Sequence, residues 1–169
     1  MTLPRLKVVI DTREQLPYRF APARVEVTRA GLASGDYSLL GFEARVAVER
    51  KTVDDFVGSI TVGRERFLRE LDRLRKYECA AVVIEGSLAD LHEHRYRSLA
   101  TTASVLGTAW ALHCRYVPLV FAGSRELGVL ATEGILRRWY TDEQKRLELA
   151  AATATAIPAN LGRAIEVHQ

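Results

Sequence analysis

Cysteine, long apolar runs and a strong excess of either charge are all missing from this 169-residue chain, and each absence excludes a class of protein. Cys79 and Cys114 are the only cysteines, and they make neither a CxxC pair nor a disulfide framework. A reducing cytoplasm is therefore the expected compartment. The longest uncharged stretch runs from Ser98 to Cys114 and contains five Ser or Thr. A bilayer-spanning helix needs about 20 apolar residues, so a buried helix is expected there and no membrane association. The start, MTLPRLKVVID, has no basic segment followed by an apolar one, and no secretion leader is expected. No repeat, low-complexity tract or linker divides the chain. The net charge of +3 and a pI near 9.0 permit a nucleic-acid partner without requiring one.

What is present suits one domain with a sizeable core: 48% of residues are hydrophobic and 27% are charged. Residues 1–156 are expected to form that domain, and 157–169 a loose tail. KVVID (7–11) reads as a buried strand, and residues 12–23, with Pro17 and Pro22, as a loop. R-V-E-V-T-R (24–29) alternates as a half-buried strand does. Residues 36–40 and 44–50 follow as a hairpin across Leu40 to Glu43. Thr52 is placed to cap a short helix ending near Ile60, with acids in its first turn. A second helix is expected over 64–78, its stripe marked by Phe67, Leu71 and Leu74. AAVVIEG (80–86) and YVPLVF (116–121) read as strands, Pro118 placing the latter at an edge or bulge. Between them a helix capped by Ser98 is expected to bury Leu99, Ala103, Leu106, Trp110 and His113. A last helix covers about 124–154. The order predicts an α/β domain, a mixed central sheet flanked by helices on both faces.

The segment GDYSLLGFEARVAVERK (35–51) sets acids beside core strands. Side chains alternate along a strand, so Glu49 and Lys51 share one face and Arg50 points to the other. If the hairpin pairs as drawn, Asp36 approaches Glu49 at the open end of the sheet. Two carboxylates converging there repel unless a cation lies between them. Mg²⁺ suits such a site, because it takes one or two carboxylates and leaves its other positions to water and phosphate. A neighbouring lysine can orient the attacking water or offset charge on the phosphate. The spacing D-x12-E-x-K thus fits metal-assisted phosphodiester hydrolysis. It equally fits a solvated strand end, where acids and bases are common.

The wider pattern adds to this. IDTRE (10–14), SGDYSL (34–39), VERKTVDDFVGSI (48–60) and GRERFLREL (63–71) occur in order. Together they resemble the nuclease domain of the XPF-type structure-specific DNA endonucleases, over roughly residues 7–138. The family signature is GD, then E-R-K, three residues, then D. Gly35-Asp36, Glu49-Arg50-Lys51 and Asp55 match it. The resemblance implies a restriction-endonuclease-like fold and a Mg²⁺- or Mn²⁺-dependent endonuclease acting on branched, flap or single-strand/duplex junction DNA, in repair or recombination. It implies that Asp36 and Glu49 hold the metal with help from Asp11, and that Lys51 serves the water or the scissile phosphate. Arg13 and Arg50 would contact phosphate or brace the carboxylates. Asp55 would orient Lys51, although a first-turn acid is also favoured by the helix dipole alone. The family further implies pairing as a homodimer or heterodimer and, in some members, a non-catalytic DNA-binding subunit. It places the protein at a bacterial or phage nucleoid, or in a eukaryotic nucleus.

Residues 64–76 carry six bases against three acids. Arg64 and Arg66, at the start of the second helix, are the expected contacts to the DNA backbone. His92 and His94 are too close in sequence to share a helix face, so zinc is not expected there. About 30 residues follow the matched region and show no repeated G-x-G hairpin, so the helix-hairpin-helix module of many relatives is not expected.

Overall fold

The computed structural model describes residues 4–156, and the expected loose tail lies outside them. The chain divides into two compact units, Met1–Arg137 and Arg138–Gln169. The first unit holds β1 (Leu6–Asp11), β2 (Val25–Ala30), β3 (Tyr37–Leu39), β4 (Val46–Lys51), α1 (Val53–Ile60), α2 (Arg64–Leu74), β5 (Cys79–Ile84), α3 (Leu88–His92), α4 (Thr102–Arg115) and β6 (Leu119–Phe121). The final helix, α5 (Arg125–Ala156), begins in this unit and crosses into the second. In the second unit, α5 carries the i,i+4 ion pair Arg138–Asp142 at 2.8 Å and the i,i+3 pair Arg146–Glu143 at 2.8 Å. No helix among the described residues is long and apolar enough to cross a membrane.

The six strands form one mixed sheet in the order β2-β1-β3-β4-β5-β6. β3 is antiparallel to both β1 and β4, while β2, β5 and β6 join in parallel. β3 alone therefore runs antiparallel, between parallel flanks. Gly41, at φ +83°, turns the chain between β3 and β4.

One face of the sheet presents Ala47, Val82 and Ile84 to Phe56, Phe67, Leu71, Leu74, Val105, Ala109 and Leu112 from α1, α2 and α4. On the other face Tyr18, Phe20 and Tyr37 form an aromatic cluster, with Tyr18 stacked on Tyr37 at 5.0 Å. Thr52 caps α1 by accepting the Asp55 N–H at 3.1 Å, as the sequence predicts.

Four expectations need correction. β2 is an edge strand with only Val25 buried, so its alternation does not mark a half-buried strand. α2 stops at Leu74 rather than Glu78. β6 starts after Pro118, whose carbonyl still accepts the Val82 N–H at 3.0 Å. In α4 the inward residues are Val105, Ala109 and Leu112, capped by Thr101, while Leu99 is 97% exposed and Trp110 48%. Both stripes have helical spacing and differ by one position, about 100° around the axis. The period alone does not choose between them when small and apolar residues occupy every side. His113 is exposed, and its Nδ1 accepts the Leu119 N–H at 3.1 Å. α3 was not foreseen. Its start is a capping box between Ser87 and Asp90, and His92 is its last residue.

Gly128 and Gly134 on α5 make a paired test of packing. A Cβ on Gly128 would lie 2.4 Å from the Tyr18 hydroxyl and 3.1 Å from its Cζ. Tyr18 is 3% exposed and stacked, so it cannot swing aside. A Cβ on Gly134 meets nothing within 4 Å. Gly134→Ala should raise the thermal midpoint, since alanine gains about 1 kcal/mol of helix propensity. Gly128→Ala should lower it despite the same gain, because overpacking costs about 1–3 kcal/mol. Calorimetry on both variants checks this, and equal shifts would contradict the packing described.

Candidate active site

The backbone ladder assembles the acids. Asp11 ends β1, Asp36 immediately precedes β3, and Glu49 lies in β4. The Asp11 N–H donates to the Asp36 carbonyl at 2.9 Å, and the Asp36 N–H to the Val48 carbonyl at 2.9 Å. The Arg50 N–H then donates to Asp36 Oδ2 at 2.8 Å. Gly35 makes this approach possible. Its φ is +78°, and a Cβ there would sit 3.1 Å from Ala47 Cβ and 3.2 Å from the Val48 carbonyl oxygen.

Asp11, Asp36 and Glu49 line one cavity of about 110 Å³, together with Arg13, Glu70 and Arg73. Glu49 and Lys51 share the face toward α1 and α2, as strand alternation requires. Lys51 Nζ is 3.0 Å from Glu49 Oε1, and both side chains are nearly buried. The ammonium also stands 4.7 Å from the Phe67 ring centroid, a cation–π contact that fixes it from the helix side.

The acids differ in how well their charge is compensated. Burial would raise Asp11, but the Arg13 side chain and the N–H groups of Leu32 and Arg13 more than offset it and hold its pKa at about 2. Asp36 is pushed up to about 7, first by burial and then by the charge of Glu49, against the opposing Arg50 N–H. Glu49 is also raised, first by burial and further by Glu70, with Lys51 acting the other way. Half-buried Asp36 and buried Glu49 are thus carboxyls with too little positive charge around them. Among the described residues no group of three or more His, Cys, Asp and Glu side chains is placed to hold a metal ion. A cation here would draw most of its ligands from water and substrate, which is the habit of Mg²⁺. The donor set, hard carboxylate oxygens with uncompensated charge, fits that ion and Mn²⁺.

The remaining candidates take different positions. Arg13 clasps Asp11 at 2.7 Å, yet its side chain is 72% exposed and open to a ligand. The Arg50 side chain is 10% exposed and points away from Glu49 and Lys51, 2.8 Å from Glu14 and 3.2 Å from Glu85. Arg125 also pairs with Glu85 at 2.8 Å. Arg50 therefore braces carboxylates beneath the sheet. Asp55 is exposed, accepts the Thr52 hydroxyl at 2.8 Å, and is not part of the acid cavity. It lines a neighbouring groove of about 440 Å³ with Lys51, Val62 and Arg66. A second groove, about 510 Å³, includes Arg64, Arg66 and Arg69. Arg66 belongs to both, so the grooves lead from Lys51 to the exposed start of α2.

Sequence reasoning missed Glu70, and also Glu14 and Glu85 as partners of Arg50. The signal for Glu70 is its place three residues after Phe67, beside the apolar stripe, which turns it toward the sheet end rather than outward.

Residues 10–135 match the ERCC4 domain. A curated protein of Methanocaldococcus jannaschii, named as an ATP-dependent RNA helicase, is 34% identical over 90 residues, 53% of this chain and 11% of that protein. The solved structure of XPF from Aeropyrum pernix superposes with a TM-score of 0.60 at 27% identity, covering 78% of this chain and 60% of that one. This chain therefore spans about a tenth of the one relative and three fifths of the other. With three quarters of its length matched and the mixed sheet shared, the chain belongs to the ERCC4-domain family and carries the XPF-type, restriction-endonuclease-like nuclease fold.

Proposed function

We propose that this protein is a Mg²⁺- or Mn²⁺-dependent DNA endonuclease that cuts branched, flap or single-strand/duplex junction DNA. The observation that carries the reading is the meeting, in one cavity, of two under-compensated carboxyls, half-buried Asp36 and buried Glu49, beside the nearly buried ammonium of Lys51. Asp36 and Glu49 hold the cation, and Asp11 steadies the site from β1. When bound, the cation would supply Lewis-acid polarisation of the scissile phosphate and make the attacking water more acidic. Lys51 orients that water or offsets the charge that develops on the phosphate. Its contacts with Glu49 and Phe67 leave the ammonium little freedom to move away. Arg13, exposed at the cavity, and Arg64 and Arg66, along the grooves, contact the DNA backbone. Asp55 borders the groove next to Lys51 and orients the approach. The active form is a homodimer or a heterodimer built through the nuclease domain.

Labelled flap, fork, single-strand and duplex DNA, incubated with Mg²⁺ or Mn²⁺ and with EDTA, tests this directly. Cleavage should require the metal. Asp36→Asn and Lys51→Ala should each lower it by at least about 100-fold while keeping the far-ultraviolet spectrum of the parent. Metal-dependent cutting at parental rates by both variants would overturn the assignment. DNA binding without cleavage under any divalent metal would favour a non-catalytic subunit that pairs with a nuclease.

The same carboxyls dictate a pH dependence. Folding raises Asp36 from 3.8 to about 7, so between those values the folded chain binds more protons than the unfolded one. Stability of the metal-free protein should therefore fall as pH rises across that window. Asp36→Asn removes the share of this effect that Asp36 contributes and should raise the metal-free midpoint at pH 8 by on the order of 5 °C. Mg²⁺ should stabilise the parent at pH 8 and leave the variant nearly unchanged. A metal-free midpoint that rises from pH 5 to pH 8 in the parent would contradict the electrostatics.

A further inference from the structure

One edge of α2 is turned into the acid cavity. Phe67, Glu70 and Arg73 recur every three residues along it, the spacing that keeps helix side chains on one side. Phe67 is 2% exposed, lies under the Lys51 ammonium and packs edge-to-face on Phe56 at 6.4 Å. Arg73 Nε donates to the Ser34 hydroxyl at 3.0 Å, which ties α2 to the loop that leads into Gly35 and Asp36. Between these two anchors Glu70 has little choice of direction. It lines the same 110 Å³ cavity as Asp11, Asp36 and Glu49, and it is the only acid of that cavity supplied by a helix.

Glu49 is held on one side by Lys51, which takes Oε1 at 3.0 Å. Glu70 lines the same cavity, and its negative charge opposes the ionisation of Glu49. Two carboxyls sharing so small a cavity favour a shared proton or a cation beside them. Glu70 thus adds negative charge where Glu49 would bind metal. Groups that orient and charge a metal ligand from behind alter metal affinity about 10–100-fold.

We infer that Glu70 is a positioning residue of the site, setting the orientation of Glu49 and the charge of the cation's seat from α2. The inference rests on the metal-dependent nuclease reading given above and adds a fourth acid to it. It also gives α2 two roles. Its N-terminal arginines border the grooves and its inner edge shapes the cavity, so backbone contact and metal seat are carried by one rigid helix.

The test is Mn²⁺ binding to the full chain without DNA, followed by electron paramagnetic resonance, in the parent and in Glu70→Gln. Glu70→Gln should weaken Mn²⁺ about tenfold and raise the Mg²⁺ concentration for half-maximal cleavage by a similar factor. The KM for DNA and the thermal midpoint of the metal-free protein should stay within error or, for the midpoint, rise. Glu70→Ala, lacking both the charge and any polar group, should weaken Mn²⁺ at least as much. Parental Mn²⁺ affinity in both variants would overturn the inference, whatever happens to their stability. A lower midpoint with unchanged metal affinity would likewise reduce Glu70 to a packing residue. If the parent itself binds no Mn²⁺, the metal-dependent reading fails. Parental binding with no effect of Glu70→Gln or Glu70→Ala sinks only the role of Glu70.

Discussion

Two carboxyl groups withdrawn from water and placed at the end of neighbouring strands repel each other, and much of this molecule is arranged around that repulsion. Asp36 is fixed by backbone hydrogen bonds to β1 and β4 on either side, so it cannot relax away from Glu49. Glu49 is fixed by Lys51, and Lys51 by Phe67. The repulsion is therefore retained rather than relieved, and it lowers the stability of the metal-free chain above the ordinary carboxylate pKa. Buried charge held in this way is costly unless a partner arrives, which makes it a mark of function more than of stability.

The opposite face of the sheet shows the contrasting solution. Arg50 lies between Glu14 and Glu85, and Arg125 shares Glu85. There each carboxylate has a guanidinium beside it. A single strand, β4, thus sends adjacent residues to two different electrostatic environments. Glu49 and Lys51 face the reactive cavity, and Arg50 faces a cluster of opposite charges. Clamping Arg50 from below also fixes the pitch of β4 at the point where its neighbours enter the site. Removing either brace partner leaves a buried charge without its counter-ion, a change whose cost reaches the site through the backbone.

The parts of this arrangement legible from sequence are those set by short-range rules. Alternation placed Glu49, Arg50 and Lys51 on their correct faces, and the hairpin brought Asp36 beside them. Thr52 was recognisable as a cap because a first-turn acid follows it. The motif order from IDTRE to GRERFLREL pointed to the family that the domain match bears out. What escaped depends on long-range packing. The helical period of α4 is the same for two stripes, and only the fit of Ala109 and Leu112 against the sheet selects one. Glu70 escaped because polar positions on an amphipathic helix are read as solvent-facing, and the cavity at the sheet end is invisible until α2 is docked. Arg50 could be given a face but not a partner, since Glu85 lies 35 positions away in another strand-end loop.

The central claim is that Asp36 and Glu49 together seat a divalent cation beside Lys51. Anomalous X-ray scattering from crystals soaked in Mn²⁺ tests it most directly. The account predicts one strong peak inside the cavity, ligated by carboxylate oxygens of Asp36 and Glu49 with water in its other positions. A structure with Mn²⁺ bound elsewhere, or with the two carboxylates turned apart and the cavity holding no metal at saturating Mn²⁺, would contradict it.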